Sequence, residues 1–137
     1  MRVYIAARAK NRVEEVKKIQ KKLKSMGHTI TYDWASANAD IRRPYREPAN
    51  RRHNSSAPAK MLRAAAEADV LILLDEPGLR GAYVELGAFL TDTLKRSNGR
   101  QVYIVGMDSH EREHIFESAE FVKFANNLDE VYSALSK

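Results

Sequence analysis

Val70-Leu71-Ile72-Leu73-Leu74, then Asp75-Glu76-Pro77, then Gly78-Leu79-Arg80-Gly81-Ala82-Tyr83-Val84-Glu85-Leu86-Gly87-Ala88: the chain is organised around this run. The first five residues are an uninterrupted apolar stretch, the pattern of a parallel strand covered on both faces. Glycines follow, and then a segment with helical spacing at Val84, Ala88 and Leu94, flanked by Leu86, Phe89 and Leu90. A strand that passes through a glycine-bearing loop into a helix leaves a corner rich in backbone donors. Glu85 sits just inside that helix. The macrodipole favours a carboxylate at a helix start, so Glu85 is expected to stay ionised. The same position also suits a Glu that does nothing but complement the dipole.

Working outward, Arg2–Ala6 reads as a first strand, with Arg8, Lys10 and Arg12 just past it. Residues 11–26 read as a helix, because Val13, Val16, Ile19, Leu23 and Met26 recur at three and four; Gly27 is a natural stop. His28–Asp33 alternates and is rich in β-branched residues, which predicts a second strand. Trp34, the only tryptophan, follows it and is either core or a stacking surface for a base. Residues 35–58 lack apolar periodicity and are expected to form a long loop, with one helical turn near residues 37–41. Long loops in compact domains are often functional. Ala59–Ala68 predicts a helix, and Asp69 opens the central strand. Ser97-Asn98-Gly99 predicts a turn, Gln101–Val105 a fourth strand, residues 107–118 a charged connection, and Phe121–Phe124 a fifth strand. Asn127 and Glu130 have capping-box spacing for a last helix, with Val131 and Leu135 facing inward.

The 137 residues fit one domain, 1–137, with a real core. At 44% hydrophobic and 30% charged, the chain is a globule rather than a disordered polymer. It has no cysteine, which excludes disulfides and thiol catalysis and fits a cytoplasmic location. No signal peptide is visible, and no apolar run approaches the roughly 20 residues that span a bilayer. The net charge of +5 is partly local: Arg42, Arg43, Arg46, Arg51 and Arg52 face only Glu47 over residues 42–53.

Strands alternating with helices predict a doubly wound, flavodoxin- or Rossmann-like α/β fold. It has a five-stranded parallel sheet in the order 2-1-3-4-5 and helices on both faces. In that order the winding reverses between strands one and three, and ligands bind at the carboxyl ends there. Residues 6–10 and 75–85 should face each other across a crevice. It would hold the Glu85 carboxylate, cations from Arg8, Lys10 and Arg80, and linings from Tyr4 and Trp34. A carboxylate beside cations suits displacement at a sugar anomeric carbon, whose transition state is oxocarbenium-like. The cations suit a phosphate. No Walker-type or Gly-x-Gly-x-x-Gly motif is present, so no nucleotide cofactor is expected.

Val3-Tyr4-Ile5-Ala6-Ala7, Ala68-Asp69-Val70 and Gly81-Ala82-Tyr83-Val84-Glu85-Leu86-Gly87 resemble the nucleoside 2-deoxyribosyltransferase superfamily, which includes nucleoside 5'-monophosphate N-glycosidases. The likeness runs through most of the chain in order, and Gly-x-x-x-Glu-Leu-Gly is its specific part. It implies a nucleophilic Glu85 that breaks an N-glycosidic bond with retention and passes the sugar to another base or to water. It implies a nucleoside or nucleotide substrate, placed near Tyr4, Ala6, Ala7, Arg8, Lys10, Trp34, Gly81 and Ala82, and a homodimer or larger assembly. The chain departs from the family at three places. Met61 stands where an Asp is common, which leaves Asp75 as the candidate second catalytic carboxylate. Ala7-Arg8 replaces a Gly-Ser pair. Leu79-Arg80 stands where phosphate-binding serines are usual.

Two further patterns compete. His110-Glu111-Arg112-Glu113-His114 matches a zinc-site spacing, but it lies in a short charged connection without an evident third ligand, so no metal is expected. The arginine segment, with Tyr45 among its cations, suits nucleic acid, a lid over an anionic nucleotide, an oligomer contact or plain solvation. A nucleotide-binding or nucleic-acid-binding protein without turnover is therefore the alternative reading.

Overall fold

The computed structural model describes residues 1–96, 99–106 and 113–137. Five strands, β1 (Arg2–Ala6), β2 (Thr29–Ile30), β3 (Val70–Leu74), β4 (Gln101–Val105) and β5 (Val122–Ala125), form one parallel sheet in the order β2-β1-β3-β4-β5. This is the expected order. All five β3 residues are buried, as a central strand covered on both faces requires.

Among the described residues, six α-helices connect or follow the strands: α1 (Val13–Ser25), α2 (Trp34–Ala37), α3 (Pro48–His53), α4 (Ala57–Glu67), α5 (Gly81–Thr93) and α6 (Leu128–Leu135). Helices α4 and α5 pack on each other and both touch β1. The step from β1 to β2 runs opposite to the steps from β2 to β3 and from β3 to β4. Right-handed crossovers therefore put α1 on the face opposite α4 and α5. Tyr132 of α6 feels the charge of Glu15 of α1, so α6 covers the α1 face. No helix among the described residues is long and apolar enough to cross a membrane.

Side chains pin the amino edge of the sheet. Asp69 accepts from the Arg2 backbone N–H at 2.7 Å and from its guanidinium at 3.1 Å, while its own N–H donates to the Arg2 carbonyl at 2.8 Å. Arg100 is buried before β4. It donates to the carbonyls of Ala66 and Ala68 at the end of α4, pairs with Asp92 at 2.9 Å, and lies over the Phe89 ring. A charge this deep persists because every face of it is matched.

The expectations fail in four places. The second strand pairs only over Thr29–Ile30, because Asp33 leaves the ladder to cap α2, accepting from Ser36 N–H at 3.0 Å. The loop at 35–58 contains α3, which opens at Pro48 and is held by Asn50, whose side-chain amide donates to the Pro44 carbonyl at 3.1 Å. The helical turn at Asn38–Asp40 is where it was expected. In α5 the buried residues are Ala82, Glu85, Leu86 and Phe89, whereas Val84 is 62% and Leu94 81% exposed. The helix is thus rotated so that its inner stripe includes the carboxylate. The fifth strand is shifted by one residue. The expected turn at 97–99 and connection at 107–118 lie partly outside the described residues.

Ile72 is fully buried at the centre of the sheet. Ile72→Ala should cost ~2–5 kcal/mol through lost transfer energy plus a cavity. Urea denaturation at constant pH measures it, and an unchanged midpoint would contradict this core.

Candidate functional site

The β1–β3 register pairs Ala6 with Leu73, so the chain leaves both strands side by side. Two contacts close the gap between the exits. Arg12 Nε lies 3.7 Å from Glu76 Oε1. The Arg8 guanidinium lies against Gly78, where an added Cβ would stand 3.6 Å from it. Gly78 has φ of +79°, a conformation natural to glycine. Ala6 and Ala7 are buried beneath, Arg8 is half-buried, and Lys10, Arg80 and Gly81 are exposed.

Glu85 is the fifth residue of α5 and only 7% exposed. The macrodipole falls off within the first turn, so it gives this position little, and burial prevails. The carboxyl is pushed up to about 7, chiefly by desolvation, and only the Tyr4 hydroxyl draws it back. This corrects the expectation of a plainly ionised group. Tyr4 is wholly buried in the middle of β1, and burial together with the Glu85 charge raises its phenol. The two groups bias each other's protonation from outside the geometry of a full hydrogen bond. Among the described residues, Glu85 Oε2 and the Tyr4 hydroxyl are both buried without a hydrogen-bonded partner.

Asp75 is buried just past β3, and its N–H extends the ladder to the Val105 carbonyl at 2.9 Å. Its carboxylate accepts from the Tyr83 hydroxyl at 2.8 Å. Tyr83 reaches back across the loop, and its ring meets His114 edge-on at 5.3 Å. Ala82, next to Tyr83 in the chain, is buried. Glu85 thus lies against Tyr4 in the middle of β1, and Tyr83 bonds Asp75 just past the end of β3. Met61 is a half-buried contact of the core.

Trp34 does not present a stacking face. It is 4% exposed, and its indole N–H donates to the Ile5 carbonyl at 2.6 Å. It is the packing member of its two alternatives, seated under β1 because α2 starts directly after Asp33. His110, Glu111 and Arg112 of the zinc-like pattern lie outside the described residues. His114 has extended backbone rather than helix. Among the described residues no group of three or more His, Asp or Glu is placed to hold a metal. Two cavities lie elsewhere: one of about 370 Å³ in the arginine segment, and one of about 470 Å³ between the end of α5 and β5.

Sequence reading missed the Tyr83–Asp75 bond and the Arg12–Glu76 closure. The only signal for either was an acidic pair between a strand and a glycine loop, which names no partner.

No family model matches the sequence, and comparison with curated proteins finds no match. Among solved structures, the chain is similar to the CMP N-glycosidase BcmB of Clostridium botulinum. The TM-score is 0.61 at 13% identity, over 98% of this chain and 97% of that one. At that identity the likeness shows a shared fold: the doubly wound sheet is common to both chains over nearly their whole lengths.

Two predictions follow from the buried groups. Glu85 titrates near 4.5 when unfolded and about 7 when folded. Between these values the folded state holds the extra proton, so stability falls as pH rises through that window, by up to ~3 kcal/mol. Glu85→Gln should therefore be more stable than wild type at pH 8 and no more stable at pH 4.5. Urea melts at both values decide it, and parallel curves would contradict the raised carboxyl. Trp34→Phe should cost ~1–3 kcal/mol by leaving the Ile5 carbonyl without its donor, while ligand affinity stays unchanged. A loss of affinity without loss of stability would restore the stacking role.

Proposed function

We propose that the protein cleaves or transfers the N-glycosidic bond of a nucleoside or nucleotide, with Glu85 as nucleophile. The observation that carries this reading is the Glu85 carboxylate itself. It is buried in α5 against Tyr4 of β1, with one oxygen lacking a hydrogen-bond partner among the described residues. A fold does not leave a carboxyl in that state for stability, because a buried unpaired polar group costs ~1–3 kcal/mol. Perturbed acids of this kind concentrate at functional sites. The solved structure of the same fold is a CMP N-glycosidase, which supports the reading, as do the Gly81–Gly87 motif and the cations near the crevice.

In the proposed reaction, ionised Glu85 attacks the anomeric carbon opposite the base. The C1'–N bond breaks as the C1'–O bond forms, and the base leaves with the electron pair and takes up a proton. Water then attacks C1', or a second base does, releasing Glu85 as a carboxylate with net retention. In this reading the Tyr4 hydroxyl, which draws down the proton affinity of Glu85, steadies the carboxylate before attack. Asp75, oriented by Tyr83, is the second carboxylate of the exits and the proposed proton donor to the leaving base. Arg8 and Lys10 are the proposed partners of a substrate phosphate.

The test is incubation with a panel of nucleosides and 5'-monophosphates, with and without an added free base, with released bases resolved by chromatography. Glu85→Gln should lower turnover by ~10³-fold or more while leaving the fold intact. The wild-type rate should fall as pH drops below about 7, where Glu85 takes up its proton. A Glu85→Gln protein that turns over at the wild-type rate would remove the mechanism. Ligand binding without turnover in the wild type would favour the nucleotide-binding alternative.

A further inference from the structure

The arginine segment is not the unstructured loop that its composition suggested. Asn54 clamps the backbone of Arg42 on both sides: its side-chain oxygen accepts from the Arg42 N–H at 3.0 Å, and its amide donates to the Arg42 carbonyl at 2.8 Å. Asn50, nearly buried, holds the Pro44 carbonyl. His53 Nε2 lies 2.7 Å from the Asp40 carbonyl oxygen and 3.4 Å from its carboxylate. These bonds tie residues 40–44 down onto α3, and Pro48 fixes the first turn of that helix.

On this platform Arg46, Pro48, Arg51, Arg52 and Ser55 line a cavity of about 370 Å³. That lies within the roughly 300–1,000 Å³ of small-ligand sites. No carboxylate lines it: Glu47, between Arg46 and Pro48, is not among the lining residues, and Asp40 is turned to His53. Among the described residues, none of the three arginines forms an ion pair. The three arginines are exposed, and the cavity they share gathers positive charge with no acid among its lining residues. Guanidinium forks match phosphate oxygens in pairs, and the Ser55 hydroxyl can add a further donor. Holding the arginines on a pinned backbone lowers the ordering cost of binding.

We propose that this cavity is a phosphate-binding site for the phosphate or diphosphate group of a soluble small molecule. A single-strand groove has cations strung along several nucleotides with aromatic rings for the bases. Here three arginines line one cavity, and the local aromatic, Tyr45, already has Arg43 over its ring at 5.3 Å. The site lies in the segment between β2 and α4. It does not rest on the chemistry proposed for Glu85.

The test is titration of the ¹⁵N-labelled full chain with inorganic phosphate and with pyrophosphate at constant ionic strength, followed by amide shifts. Saturable shifts should appear across residues 46–55. Arg51→Gln/Arg52→Gln should weaken pyrophosphate at least tenfold, and Arg51→Lys/Arg52→Lys should recover part of it. Glu85→Gln should bind pyrophosphate as wild type does, so the two readings fail separately. Shifts that do not saturate, or that gather away from residues 46–55, would overturn the site on the wild-type chain alone. So would tight, steeply salt-dependent binding of a twenty-nucleotide single strand that pyrophosphate fails to displace.

Discussion

The pairing of β1 with β3 is the constraint from which the rest of the structure follows. Asp69 anchors it by holding Arg2 through backbone and side chain at once. Once Val3 lies opposite Val70, Ala6 lies opposite Leu73, and the two exits must emerge as neighbours. Each strand then feeds a loop that its neighbour's loop restrains, as Arg12 does with Glu76 and Arg8 with Gly78. A slip of one residue would turn every side chain of β1 to the opposite face of the sheet. Tyr4 would then leave Glu85, and the carboxyl would lose the only group that draws its proton affinity down.

Stability and chemistry pull against each other at that carboxyl. Rotating α5 so that Ala82, Glu85, Leu86 and Phe89 face inward buries three apolar side chains and one acid. The apolar burial favours folding, and the acid opposes it once ionised. Arg100 offers a contrast within the same fold. It is as deeply buried, but two carbonyls, Asp92 and the Phe89 ring meet its charge. Glu85 has no such set, and this difference separates a structural charge from a candidate reactive one.

The order of the sheet was legible because hydrophobic runs of five residues separated by helical periods admit few arrangements. β1, α1, β4 and the cap of α6 fell where spacing placed them. The apolar stripe of α5 was misread because Val84 and Leu94 fit a helical period equally well, and periodicity alone carries no information about which face meets the sheet. β2 was overextended because alternation continues to Asp33, while capping of α2 claims that residue. α3 was invisible because a two-turn helix rich in arginine shows no apolar period; its order comes from Asn50 and Asn54 reaching into another stretch of backbone.

By itself the sequence determined the parallel doubly wound topology and the positions of the strand exits, since these follow from local pattern and from the handedness of crossovers. Only the tertiary structure decided that Glu85 is buried and raised, that Tyr83 holds Asp75, that Trp34 is core, and that three arginines share one cavity. Each of those depends on groups distant in sequence meeting in a low-dielectric or crowded place, and neither distance nor dielectric is written in residue order.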